Sequence, residues 1–287
     1  MTKLTLALVT DIHFGPDRGT KKGSEALLLL DRFGAFVREL NPDVCVEMGD
    51  RTSSSRDLAP GVLMKEVCDA LRAKIPGEVY HILGNHDLDG LSLEDNEKIL
   101  GRSLVSRSLD INGFHLVFWN THPVLDKTKG FTLDMRDLDW LREDLKATTL
   151  PVVIFTHVPL DNGSMEGNFY FDKAYPHHAG YPAAQGEAIR EVIERSGKVI
   201  LCVNGHAHWN AYHGIDGTHY VTIPSLVETF PTWPDANEAW ARLSIGESIE
   251  IGIYGRAPML YRLPIKKLGA HWCSIEKDYT PNAAKPT

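Results

Sequence analysis

The sequence predicts an α/β fold: a parallel sheet with crossover helices, against which a second, mixed sheet packs. Two observations carry that prediction. Through residue 203, short apolar runs alternate with segments whose apolar residues recur at three and four, and such alternation calls for parallel strands joined by helices. After His208 the helical period disappears, and paired apolar runs separated by glycine turns replace it.

The elements follow in order. Leu4–Thr10 reads as the first strand. Ser24 is placed to cap a helix carrying Leu27, Leu30, Phe33, Val37 and Leu40 on one face, which Asn41-Pro42 stops. Val44–Met48 is a strand. A helix around Leu58–Lys74 presents Leu63, Val67, Ala70 and Leu71, and Pro76-Gly77 ends it. Val79–Leu83, Phe114–Trp119 and Val152–Phe155 are further strands, the last two separated by a helix near Asp134–Lys146 with Leu138, Leu141 and Leu145 inward. A helix near Ala183–Ser196 leads to the strand Val199–Val203. Tyr212–Ile223 reads as a hairpin around Asp216-Gly217, and Ile249–Tyr254 with Met259–Leu263 as a second antiparallel pair. One domain over residues 1–275 is expected, followed by a polar tail, 276–287.

Length and charge restrict the function. The 287 residues are enough for a sizeable core, and 30 Lys+Arg against 38 Asp+Glu give a net charge of −8. That balance argues against general nucleic-acid binding and against adhesion to a membrane surface. No apolar run approaches the ~20 residues of a membrane span. Leu4–Val9 runs directly into Asp11 without a small-residue cleavage site, so it reads as a strand and not a signal peptide. Cys45, Cys68, Cys202 and Cys273 are scattered, which speaks against a disulfide framework or a thiolate zinc site and sets a reducing, cytoplasmic location as the expectation. The sequence leaves a homo-oligomer open.

The chemistry lies just beyond the strands. The five relevant strands are followed by Asp11-Ile12-His13, by Gly49-Asp50, by Gly84-Asn85-His86-Asp87, by Thr156-His157 and by Gly205-His206-Ala207-His208. Ligands of open α/β sheets bind beyond the carboxyl ends of the strands. Carboxylate, imidazole and amide oxygen suit divalent metals of intermediate hardness. Asp11, His13, Asp50, Asn85, His157, His206 and His208 are too many for one ion, whereas two ions sharing a bridging carboxylate would use them all. Two such ions clamp the attacking and leaving sides of an in-line displacement at phosphorus. Any single histidine among the chain's 13 is better read as structural, and His81, His115, His122, His213, His219 and His271 are assigned so, with His122 the least secure because it also follows a strand. Five ordered clusters are a different matter.

These residues resemble the calcineurin-like metallophosphoesterase superfamily, whose ordered pattern D-x-H, G-D, G-N-H-D/E, H and G-H-x-H is present between Asp11 and His208. The resemblance implies a four-layer α/β/β/α sandwich, two mixed sheets flanked by helices, with a dinuclear site at the sheet edges. It implies that Asp11, His13 and His208 hold the first metal, that Asp50 bridges, and that Asn85, His157 and His206 hold the second. His86 would face the phosphate as a catalytic group, and Asp87 would orient its imidazole. The two ions would be Mn, Fe, Zn or a mixed pair. Many members carry an Asp or Asn three residues after Gly-Asp. Here Arg51-Thr52-Ser53-Ser54-Ser55 follows, and Arg51 becomes a candidate for touching the substrate's phosphate.

Finer similarity points to class III cyclic-nucleotide or glycerophosphodiester phosphodiesterases and to manganese-dependent ADP-ribose/CDP-alcohol diphosphatases. Protein serine/threonine phosphatases fit less well, since their G-D-x-V-D-R-G pattern is missing. The expected function is therefore a dinuclear-metal phosphohydrolase acting on a small phosphate ester or nucleotide, first a phosphodiesterase and second a nucleotide pyrophosphatase. A non-catalytic metal-binding scaffold is the contrasting reading. The long aromatic stretch Asp161–Pro182 is expected to overhang the site, and Trp233 to pack against the sandwich edge.

Overall fold

A computed structural model describes residues 3–272 except 54, 56 and 127. The tail 276–287 and Cys273 lie outside the described residues. β1 (Leu4–Val9), α1 (Ala26–Leu40), β2 (Val44–Glu47), α2 (Pro60–Lys74) and β3 (Val79–His81) form the first winding, with β1, β2 and β3 parallel. Ser24 does not cap α1. It sits one turn earlier, in a 3-10 turn, where its N–H and hydroxyl both donate to Asp17. Asn41 ends α1 in the left-handed conformation.

Next come α3 (Leu93–Leu100), opened by a Ser92/Asp95 capping box, then β4 (Arg107–Ile111) and β5 (Phe114–Phe118). A short ribbon of β6 (Leu125–Asp126) and β7 (Gly130–Phe131) precedes α4 (Met135–Ala147), which Asp134 caps. β8 (Val152–Phe155), α5 (Ala183–Ser196) and β9 (Val199–Asn204) follow. The expected hairpin is β10 (Ala211–Ile215) and β11 (Thr218–Thr222), and the chain closes with β12 (Trp240–Ile245), β13 (Ser248–Tyr254) and β14 (Met259–Pro264).

The two sheets have six strands each, ordered β14-β13-β12-β1-β2-β3 and β10-β11-β9-β8-β5-β4. The late strands therefore divide between the sheets. β12, which the sequence reading did not identify, returns antiparallel to β1 and carries β13 and β14 onto the first sheet, while β10 and β11 extend the second. Both sheets are mixed.

Strand alternation builds the layers. Leu4, Leu6 and Leu8 of β1 join Phe118, Phe155 and Val203 in the core between the sheets. Ala7 and Val9 point the other way, into the cluster with Leu30 and Phe33 of α1 and Val67 and Leu71 of α2. On the far side, Val117, Ile154 and Cys202 pack against Leu138 and Leu141 of α4 and Ile189 and Ile193 of α5. The result is a helix–sheet–sheet–helix sandwich whose two carboxyl edges meet at one end.

Candidate metal centre

Backbone bonds tie four of the five loops together in pairs at that end. Asp11 N–H donates to Gly49 O and His13 N–H to Asp50 O, while Gly205 N–H donates to His157 O. Gly49 and Gly84 touch: a Cβ on Gly84 would lie 2.2 Å from the Asp50 nitrogen, so only glycine lets these loops close. Asp11, His13, Asp50, His206 and His208 all have positive φ, between 44° and 65°. Each such residue costs on the order of 1–3 kcal/mol, and a cluster of them marks a site whose geometry overrides local preference.

The side chains converge in two groups that could each hold an ion. Asp11, His13, Asp50 and His208 form one, and Asp50, His157 and His206 the other, all of them buried. Asp50 belongs to both. Its Oδ2 stands 3.6 Å from His13 Nε2 and 3.4 Å from His157 Nε2, while its Oδ1 accepts from the His86 N–H at 2.7 Å. Asn85 Oδ1 completes the second group, 3.3 Å from His157 Nε2.

The outer nitrogen of each ring is already engaged. His157 Nδ1 bonds Met48 O at 2.8 Å, His208 Nδ1 bonds Glu228 Oε2 at 2.8 Å, His13 Nδ1 bonds Ser53 Oγ at 3.2 Å, and His206 Nε2 bonds His178 O at 2.7 Å. The inner nitrogens of His13 and His208 then face each other at 3.0 Å, and His208 Nε2 lies 3.1 Å from Asp11 Oδ1. That oxygen is buried and accepts no hydrogen bond from the protein, whereas its twin Oδ2 accepts from Thr10 Oγ1 and His206 N–H. An orphaned carboxylate oxygen among opposed imidazole nitrogens fits a cation, and the outer acceptors fix each ring's orientation for it.

Charge separates the rings. Burial works against charge on all of them, but Asp50 overrides it at His157, raising that imidazole to about 10, and Asp11 does so at His208, raising it to about 9. Burial prevails at His206, lowered to about 3, and at His13, held well below the usual histidine range with Lys21 adding to the effect. Against burial, His157 holds Asp50 well below the usual carboxylate range, and His208 lowers Asp11 likewise. Glu228 falls to about 2, His208 outweighing its burial.

Two expected roles are corrected by the structure. Asp87 does not touch the His86 imidazole. It accepts N–H bonds from Asp50, Arg51 and Gly84 and pairs with Arg51 at 2.7 Å, pinning the loop that carries Asp50. Asp89 bonds His86 Nδ1 instead, at 2.7 Å, because the 3-10 turn His86–Leu88 places position i+3 beside the ring. Arg51 does not reach the cleft. It is fully buried, its Nε 2.6 Å from Glu47, one amino group on Asp87 and the other on Ile82 O. Fully buried between two carboxylates, its guanidinium is out of a substrate's reach.

Above the cradle lies a cleft of about 760 Å³, lined by Asp50, Asn85, His86, His206 and His208 on one side and by Tyr170, Phe171, Tyr175 and His178 on the other. The stretch Asp161–Pro182 thus reaches over the site. It is also interlocked with it: Asn168 Nδ2 donates to Ala207 O, and Tyr170 hydroxyl to Glu228. Phe171 stacks on His206. Removing residues 168–175 would therefore disturb the loop of His206 and His208 as well as the cleft. Trp233 neither packs nor lines this cleft; it is 69% exposed. His122 is exposed and does not line it either, despite its positive φ. Glu228, Asp89 and Lys21 are the site residues the sequence reading missed. Glu228 and Asp89 lie outside the motifs, and the sequence carried no signal for them.

The family model of calcineurin-like phosphoesterases matches residues 4–210. The chain belongs to that family. A curated zebrafish (Danio rerio) relative, a transmembrane protein with a metallophosphoesterase domain, is 26% identical over 212 residues, which are 71% of this chain and 40% of the relative. The chain thus spans about two-fifths of that relative's length. Among solved structures, a dimetal phosphatase from Danio rerio superposes with a TM-score of 0.75 at 16% identity, over 92% of this chain and 99% of its own. A purple acid phosphatase from yellow lupin seeds does so at 0.60 and 12%, over 91% and 53%. GAP50, described as the anchor in the inner membrane complex of Plasmodium, does so at 0.60 and 12%, over 94% and 91%. At these identities the likeness is one of fold. Among the described residues, no helix of this metallophosphoesterase is long and apolar enough to cross a membrane.

Proposed function

We propose that this metallophosphoesterase is a dinuclear phosphohydrolase with a preference for phosphodiesters. His86 carries that reading. It stands at the cleft side of the cradle, partly exposed, its ring 5.0 Å from that of His13 and its Nδ1 held by Asp89. The remaining ring nitrogen is left for a substrate.

Two bound ions, manganese, iron, zinc or a mixed pair, would supply Lewis acidity at phosphorus oxygens and hydroxide near neutral pH. Asp11, His13 and His208 would hold one, Asn85, His157 and His206 the other, and Asp50 both. His86 binds the phosphate opposite this cradle and hands a proton to the leaving oxygen. Asp89 orients the imidazole. A diester has one ionisable oxygen and, for an alkoxide, a poor leaving group, so a positioned acid helps it most. Phe171 and Tyr170 exclude water on the facing wall.

Nucleotide pyrophosphatase activity on ADP-ribose-like or CDP-alcohol-like molecules is the second reading, favoured by the aromatic wall of Tyr170, Phe171 and Tyr175, against which a base can stack. A non-catalytic metal-binding scaffold is the contrasting class, against which the complete set of seven donor residues counts. Reconstitution with each metal, followed by rates on monoesters, diesters and nucleotide anhydrides, separates the three. The diesterase reading expects the highest kcat/KM on a diester and a ~10²–10⁴-fold loss in His86→Ala with metal content unchanged. No turnover of any substrate by the metal-loaded protein would overturn it in favour of the scaffold.

A further inference from the structure

We propose that Lys21, with Arg18 beside it, binds a second phosphoryl group of the substrate, beyond the one that sits at the metal cradle. This deepens the hydrolase reading and rests on it. The two residues lie on the loop that follows His13, and both line the cleft together with Asp50, His86, His206 and His208.

The loop is rigidly built. Arg18 and Lys21 exchange both backbone hydrogen bonds around Gly19, and Lys21 bridges to Glu228. Thr20 is fixed by the Tyr170 hydroxyl at 2.6 Å and by Thr229. The Lys21 ammonium lies 5.8 Å from the centre of the Tyr170 ring, the same ring that meets His208 edge-on. Its neighbour Lys22 is neutralised by Asp17 at 3.3 Å. Among the described residues neither Lys21 nor Arg18 has a carboxylate partner.

A half-buried ammonium without a counter-ion is costly. The carboxylates whose charge acts on Lys21 are already committed: Glu228 to His208, and Asp11 and Asp50 to the cradle. Once cations fill that cradle, the two carboxylates no longer offset Lys21, and the cleft wall carries excess positive charge. An anionic group on the substrate supplies the balance. The attacked phosphoryl is held at the cradle, so the group facing Lys21 is a further one. The substrate class is a phosphodiester or anhydride that carries an additional phosphate, with an aromatic or sugar portion against Tyr170 and Tyr175.

A matched pair of substrates tests this: the 4-nitrophenyl ester of thymidine 5′-phosphate with and without a 3′-phosphate, alongside ADP-ribose for an anhydride-linked second phosphate. Lys21→Met should raise KM by about 10- to 100-fold on the 3′-phosphorylated ester, on ADP-ribose or on both, and change it less than ~3-fold on the plain ester. Lys21→Arg should restore most of the difference. Metal content, measured on the same samples, should be unchanged. Calorimetry with inorganic pyrophosphate and orthophosphate gives a readout free of turnover: Lys21→Met should weaken pyrophosphate by at least ~10-fold and orthophosphate by less than ~3-fold. Equal losses on all substrates, or no loss on any, would overturn the proposal. If the metal-loaded wild type turns over none of them, the hydrolase reading fails, and the pyrophosphate titration still decides whether Lys21 holds a second phosphoryl group.

Discussion

Two buried polar clusters lie back to back in this protein, and only one of them is complete. Beneath the Asp50 loop, Arg51 is enclosed by Glu47 and Asp87, while Glu47 also bonds His81 and the Gly49 N–H. Two carboxylates share one guanidinium and accept from several backbone N–H groups, so each carboxylate has a cation beside it within the chain. The cradle above gathers two carboxylates and four imidazoles, with two of the ring nitrogens opposed at 3.0 Å. Both clusters are rich in charge and fully buried. What distinguishes a ligand site from a structural one is whether the donors and acceptors close on themselves, not how many ionisable groups are present.

Asp50→Asn removes the carboxylate shared by both groups; we expect elemental analysis to show loss of at least one ion and hydrolysis to fall by ~10³-fold or more, several kcal/mol of transition-state stabilisation. Retention of both ions at full activity would mean that Asp50 is not the shared ligand. The lower cluster should respond in stability instead. Arg51→Met leaves Glu47 and Asp87 buried without a cation, and denaturant unfolding should show a loss of about 3–5 kcal/mol. A change below ~1 kcal/mol would show that the triad is not closed as described.

Glu228 sharpens the contrast from the side. It accepts the His208 Nδ1 hydrogen bond but is outside either ligand group, so Glu228→Gln should weaken metal affinity by about 10–100-fold, read by competition with a chelator, with little loss of fold stability.

The smallest effect is in protons. His157 and His208 are raised to about 10 and about 9, so in the metal-free protein both are charged at pH 7.5 and must lose a proton to ligate. Calorimetry in buffers of different ionisation enthalpy should register release of about two protons on loading, with affinity rising with pH. The sign for stability is opposite. Their pKa values exceed the unfolded value, so these ion pairs stabilise the metal-free protein fully below about pH 6.5 and lose that contribution as pH rises through 9–10. Asp11 and Asp50 are depressed, so their contribution is present above the ordinary carboxylate range and lost in acid below it. A metal-free melting temperature that climbs from pH 7 to pH 10 would contradict both assignments.

Much of this was legible in the sequence. Strand period, helix period and the glycines beside Asp50, Asn85 and His206 are local signals, and they mark the five loops that meet at the sheet edges. β4 and β12 were not legible. β4 (Arg-Ser-Leu-Asp-Ile) is an edge strand with mixed burial, and β12 begins among polar residues and is held by pairing to β1 across more than two hundred residues. The orienting role of Asp87 came from the resemblance and not from the residues themselves, and here Asp87 turns to Arg51 and the Asp50 loop while the 3-10 turn delivers Asp89 to His86.

By itself the sequence determined the layer-forming periodicities, the order of the donor clusters and the residue types that suit two metal ions, because each depends on spacing within a few residues. Only the tertiary structure decided that Arg51 is enclosed, that Glu228 orients His208, and that Lys21 faces the cleft without a carboxylate. Those are questions of which distant groups meet, and charge pairing in a buried site is settled by that meeting and not by neighbours along the chain.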